Sequence, residues 1–222
     1  MTINVIRRNG NVNGKKLEHF IKKYWQALCP IPKNSNPAWD NNGSKDGPFN
    51  NNVGEDLYML SFSRSPLIPG TNIPAAPAKR NIKIPADKGL FIPVVSVLVS
   101  ECETSESLIP TAEKDQTSVI QNSVELILDG TSFNHNDYRF NPADIDTFQV
   151  NFPPPADSIF KITSSGSCDA VAAGRYIWTE PLSPGEQHTV SFKGKLSCRS
   201  TPPPRCIDEE YNEDITYNIT VQ

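Results

Sequence analysis

The sequence predicts a mainly β chain, an antiparallel two-sheet sandwich of jelly-roll or immunoglobulin-like type with one amphipathic helix near its N-terminus. Three observations carry this. Many short apolar runs recur along the chain, separated by turn residues rather than by further helical patterns. Proline is abundant at 20 of 222 residues, which suits numerous turns. One stretch alone repeats its apolar residues at helical spacing. A chain of this length can bury roughly 70% of the surface it exposes when unfolded, so a sizeable core needs no metal.

The helix comes first. Leu17, Phe20, Ile21, Tyr24, Trp25 and Leu28 recur at three and four residues, with Lys15, Lys16, Lys22 and Lys23 on the opposite side. Asn13 suits an N-cap, and Pro30 and Pro32 prevent continuation, so the helix is expected over residues 14–29. Its aromatic stripe reads as core packing and its lysines as a solvated face. Residues 1–32 therefore form a helical region packed on a sandwich spanning 33–222, and together they are expected to make one domain over 1–222.

Residues 33–55 are rich in Asn, Gly, Asp and Pro and read as a long loop. A strand is expected over 57–62. Beyond a proline-rich connection, 82–84 lead through the turn 85–89 into the most apolar run of the chain, 90–99, and read as a hairpin. Residues 111–122 suit a surface helix, and 123–128 a strand ending in the turn Asp129-Gly130. Further strands are expected over 148–152, 159–162, 171–179, 188–192 and 215–221. The segment 176–192, alternating around the turn 183–186, is the clearest hairpin signal.

Several classes are disfavoured. With a formal net charge of -4 and scattered basic residues, the chain lacks the clustered Lys and Arg that nucleic acid requires. No apolar run approaches the roughly 20 residues that span a bilayer, so no membrane insertion is expected. The first residues also lack the apolar stretch of a signal peptide. No nucleophile elbow, zinc-protease pair, phosphate loop, dinucleotide fingerprint or Cys-x-x-Cys pair is present, and with His19, His135 and His188 alone a histidine-rich metal site is not expected.

Five cysteines, Cys29, Cys102, Cys168, Cys198 and Cys206, leave one thiol outside any intramolecular pairing. Cys198 and Cys206 flank a three-proline loop, a spacing suited equally to a loop-closing disulfide or to two reduced thiols.

Two constellations could carry chemistry. Asp40, Asn42, Ser44 and Asp46 present oxygens at alternate positions, as a calcium loop does, although Lys45 and Asn51 stand where an EF-hand needs Gly and Glu. The competing reading is a polar loop built from Asx turns, and no other cofactor is expected. Glu101, Glu103, Asp129, His135, Asp137 and Arg139 follow neighbouring apolar strands, and their convergence at one end of a sandwich would supply general acid–base groups for hydrolysis. Against this, charged residues end strands because they belong in water.

Trp25 with Ile31, Pro32, Asn36 and Pro37, then residues 40–43, 84–93, Glu101, Cys102, Asp129, Gly130, Tyr138, Arg139 and 174–194, together resemble a family of mostly exported bacterial and archaeal proteins of similar length. That family has no established activity. The resemblance implies an exported β-rich module at the cell surface or outside it, and it supplies no catalytic residues. The expected function is a non-catalytic surface module with a binding or structural role, its partner a protein, a glycan or further copies of itself. The alternatives are a hydrolytic enzyme using strand-end carboxylates and a structural component of a particle or surface layer.

Overall fold

The computed structural model describes residues 3–53, 55–62, 78–117, 119, 123–197 and 210–222. It is mainly β, with two mixed sheets. Its elements in chain order are α1 (Leu17–Leu28), α2 (Asp46–Val53), β1 (Leu57–Met59), β2 (Ala78–Ile84), β3 (Gly89–Ser100), α3 (Leu108–Thr117), β4 (Glu125–Leu128), β5 (Thr131–Ser132), β6 (Arg139–Phe140), β7 (Phe148–Phe152), β8 (Gly166–Trp178), β9 (Gln187–Ser197) and β10 (Glu210–Val221). The first sheet runs β1-β3-β8-β6, with β7 also on β8, and the second runs β2-β10-β9-β4-β5.

Antiparallel pairing dominates, but β1 joins β3 and β2 joins β10 in parallel, which corrects the expectation of antiparallel sheets throughout. Both predicted hairpins are corrected as well. β2 and β3 lie in different sheets, and so do β8 and β9, so residues 85–88 and 179–186 carry the chain from one sheet to the other. These corners are pinned to the end of β10. Ala86 N–H donates to the Gln222 carbonyl, and Gly185 N–H donates to the Val221 carbonyl. At the same place Gly89 lies so close to the Thr179 carbonyl that a Cβ would collide with it, and glycine alone fits.

β3 tolerates Pro93 because β1 pairs it only over Gly89–Phe91, so no ladder partner awaits a proline N–H there. A bulge follows between Pro93 and Val95, and Gly174 opposite it adopts φ +141° with no room for a Cβ against Val95.

The first sheet is covered on both faces. α1 buries Leu17, Phe20, Ile21, Tyr24, Trp25 and Leu28, as the periodicity predicts, in one core cluster with Phe91, Tyr176 and Trp178. On the other face, Leu90, Ile92, Val94 and Ile177 share a cluster with Ile82, Phe192, Ile215 and Ile219 of the second sheet. Farther along, Val97, Val99, Val171 and Ala173 pack against Ala112 of α3.

Local signals were displaced in four places. Asn13 does not cap α1. With Gly14 it forms a left-handed turn at φ 50° and 78°, and Lys16 takes the cap position. Part of the expected loop 33–55 is α2, α3 begins earlier and ends earlier than the 111–122 expected, and residues 159–162 are buried loop rather than strand.

Cys198 and Cys206 lie outside the described residues. Among the described residues, Cys102 and Cys168 form a disulfide, their Cα atoms 5.8 Å apart, joining the end of β3 to the start of β8. It closes a long loop, at a sequence separation of 66. Replacing both residues by Ser is expected to cost about 2–4 kcal/mol of stability, measured by denaturant unfolding. An unchanged unfolding midpoint would contradict a formed bridge.

Candidate functional site

An open cleft of about 610 Å³ lies where four separate turns meet. The N-terminal turn contributes Asn11, Val12 and Asn13, the approach to β1 contributes Asp56, and the β2–β3 corner contributes Asp87 and Lys88. Glu180 and Pro181, following β8, close the fourth side. The walls are held by ionic and polar ties. Lys15 Nζ lies 2.9 Å from Glu55 and 3.0 Å from Asp56, while Lys88 Nζ donates to the Glu55 carbonyl at 2.8 Å. Burial alone would raise the Glu55 carboxyl, but the Lys15 and His19 contacts hold it below the usual range. Asp56 is held low by its hydrogen bond from Lys15. The cleft therefore presents carboxylate oxygens of Asp56, Asp87 and Glu180 as acceptors, with the amides of Asn11 and Asn13 and the Lys88 ammonium beside them.

A second polar centre is fully buried. Arg80 of β2 has no exposed surface, and its Nη1 donates to the carboxylate of Asp46, to Ser61 Oγ and to the Tyr217 hydroxyl. Its Nη2 donates to the carbonyls of Pro37, Asp40 and Phe62. Burial pushes the Asp46 carboxyl up to about 6, the nearby Arg80 opposing this only in part, and burial raises the Tyr217 phenol as well. The guanidinium thus ties the loop before α2, the end of the β1 segment and β10 to one point. Its role is structural, because every one of these partners is internal.

The calcium candidates belong to this assembly. Asp40 Oδ1 accepts from Asn42 N–H at 3.1 Å, Asp40 Oδ2 accepts from Lys45 N–H at 2.9 Å, and Asn42 Oδ1 accepts from Ser44 N–H at 2.9 Å. Asp46 turns inward to Arg80. The oxygens that would face an ion are engaged by backbone donors, the pattern of successive Asx turns. Among the described residues no cluster of His, Cys, Asp and Glu has the geometry to hold a metal.

The carboxylates, histidine and arginine expected at one end of a sandwich occupy three places. Glu103 accepts from Ser100 N–H and its hydroxyl at the end of β3, and Glu101 lines a separate, smaller hollow. Arg139 pairs with Arg175, itself opposite Val95, so Glu101 lies six residues farther along β3, about 20 Å away. Asp129 sits in the β4–β5 turn at φ 47°, where its Oδ1 accepts from Thr189 N–H and its Oδ2 lies 2.8 Å from His188 Nδ1. His188 Nε2 lies 3.0 Å from Glu186, so both ring nitrogens are engaged by carboxylates and neither is open to a substrate. His135 and Arg139 lie together elsewhere, between α3 and the second sheet, and Asp137 is exposed in the turn between them.

Sequence reasoning missed Arg80, Arg175 and the partners of His188. A signal existed for the two arginines. Arg80 alternates with Ala78, Ile82 and Ile84, and Arg175 lies on the face of Ala173 and Ile177, so each is a cation on an apolar stripe, which demands buried partners. The cleft left no such signal, since its walls come from four separate turns. Comparison with family models, with curated proteins and with solved structures finds no match to this chain.

Proposed function

We propose that the chain is a non-catalytic β-sandwich module that binds a polar, hydroxyl-rich ligand of glycan type in the cleft beside the β2–β3 corner. The observation that carries this reading is the contrast between the two kinds of polar group. The buried centres at Arg80 and His188 bond to internal partners, while the open cleft gathers Asn11, Asn13, Asp56, Asp87, Lys88 and Glu180 around about 610 Å³. Amides and carboxylates side by side pair with vicinal hydroxyls, and the apolar rims of Ile6, Val12, Leu57 and Pro181 suit the faces of a sugar ring. The Cys102–Cys168 bridge supports an oxidising compartment, consistent with the exported family that the sequence resembles.

Titration of the protein with chitohexaose and with cellohexaose, followed by amide NMR, is the test. The expected result is a set of shifts confined to residues near Asn13, Lys88 and Glu180, weakened by about tenfold or more in Asp87→Asn with Glu180→Gln, as loss of charge-assisted hydrogen bonds requires. Shifts elsewhere, or none with either sugar, would overturn the cleft as a glycan site. Cleavage of the oligosaccharides would replace the binding reading by the hydrolytic one.

A further inference from the structure

Along the inner face of β8 the residues change character. Val171 and Ala173 pack under α3, Ile177 packs under the second sheet, and Arg175 falls between them, in the seam where one cover ends and the other begins. Across the ladder, Arg139 of β6 lies directly opposite Arg175. His135, just before the turn that leads into β6, is the third nitrogen base there, within electrostatic reach of Arg175.

Two atoms in this seam have unmet hydrogen-bonding capacity. Arg139 donates from Nη2 to Gln116 Oε1 at 3.1 Å, but its Nε is buried with no acceptor. His135 is 9% exposed, and its Nε2 lies 3.1 Å from the Val124 carbonyl. A carbonyl only accepts, so Nε2 carries the hydrogen, and in the neutral ring Nδ1 is a bare lone pair. That Nδ1 is buried and without a partner. Burial and the charge of Arg175 lower the proton affinity of His135, against the pull of the Val124 carbonyl, which keeps the ring neutral at pH 7. Among the described residues no carboxylate is bonded to Arg139 or to His135. A buried donor and a buried acceptor left unmet are both unfavourable, because neither regains the hydrogen bond it made to water.

We propose that this seam is a binding site for a small protonated oxyanion, with hydrogen phosphate as its type. The anion's oxygens accept from Arg139 Nε in the positive field of Arg139 and Arg175, and its own O–H donates to His135 Nδ1. The pairing of cationic donors with one acceptor gives a specific selectivity. Sulfate is fully deprotonated at pH 7 and brings no hydrogen to His135, so it leaves that lone pair facing an anion, whereas phosphate retains a proton and satisfies both groups. The site is separate from the cleft and rests on no part of the glycan reading.

Calorimetric titration of the intact chain at pH 7, at constant ionic strength set with chloride, tests it with three probes: inorganic phosphate, inorganic sulfate and phosphoserine. Phosphate is expected to bind one ion per chain, with sulfate weaker by about tenfold or more, the consequence of one unmet hydrogen bond to a buried group. Phosphoserine is expected to be weaker still, because α3 and the second sheet cover the seam. Arg139→Gln should weaken phosphate by about tenfold or more. His135→Phe should abolish the preference for phosphate over sulfate. The comparison of the probes on the unsubstituted chain decides even if a variant fails to fold. No heat with phosphate up to tens of millimolar would overturn the site, and so would sulfate binding as tightly as phosphate. Phosphoserine matching phosphate would place binding at the surface and overturn the buried location.

Discussion

Replacing Arg80 by methionine is expected to lower stability by about 3–5 kcal/mol, the cost of removing one partner from a buried ion pair. Methionine keeps most of the apolar stem length but supplies none of the donors. Asp46, with no exposed surface, would then be a buried carboxylate with no cation, and the carbonyls of Pro37, Asp40 and Phe62 would each lose their guanidinium donor. The pH dependence of the loss distinguishes an orphaned charge from a packing defect. In the native chain burial already pushes Asp46 to about 6, above its unfolded value of 3.8, so the carboxyl's favourable contribution is present at low pH and is lost as pH rises through about 6. Without Arg80 the folded value rises further. The deficit of the variant should therefore shrink on acidification from pH 7 to pH 5, and adding Asp46→Asn should recover part of it at pH 7. Denaturant unfolding at the two pH values measures both. A deficit independent of pH and untouched by Asp46→Asn would mean that the ion pair contributes nothing beyond packing.

How far the sequence revealed the fold depends on the range over which each signal acts. The six apolar residues of α1 announce a buried helix because periodicity is local, and all six are buried. The burial alternation of β2 and β7 follows from the same logic with period two. Partner choice is a different matter. The stretches around 85–88 and 183–186 have the turn residues of hairpins, yet their flanking strands belong to different sheets. A turn that reverses the chain in one sheet and a corner that passes it to the next use the same residues. What decides here is the close approach of Gly89 to Thr179 and the hydrogen bonds to the end of β10, both set by residues distant in sequence.

The same limit governed the site. Asx turns in 40–46 have oxygens at the spacing of an ion loop, and only Arg80, thirty-four residues beyond Asp46, fixes where that carboxylate points. Strand-end carboxylates were grouped by their order in the chain, but β3, β4 and β6 end at different heights and in two sheets, so Glu103, Asp129 and Arg139 do not meet. Histidine followed the same rule. His188 is defined by Asp129 and Glu186, contributed by two different turns, and His135 by the carbonyl of Val124 and the charge of Arg175.

Replacing Trp25 by alanine is expected to cost about 3–5 kcal/mol, the range for truncating a buried aromatic in a well-packed core. Trp25 is 2% exposed, and its ring stands edge-on to Tyr24 at 5.2 Å and to Phe160 at 6.1 Å, with Phe62 tilted against it at 5.9 Å. Its indole Nε1 donates to the Tyr176 hydroxyl at 3.1 Å, which in turn donates to the Ala173 carbonyl at 3.1 Å. The ring thus fastens α1 to β8 through packing and through one buried hydrogen bond. Trp25→Phe separates the two, since it keeps most of the packing while the hydroxyl of Tyr176 loses a donor but retains its own acceptor. That variant should cost only about 1–2 kcal/mol. In a domain of this size the alanine variant should melt lower by about 6–20 °C, against about 2–8 °C for phenylalanine. An unchanged melting temperature for alanine would mean that α1 does not contribute to the core, and its aromatic face would have to be reassigned to a partner.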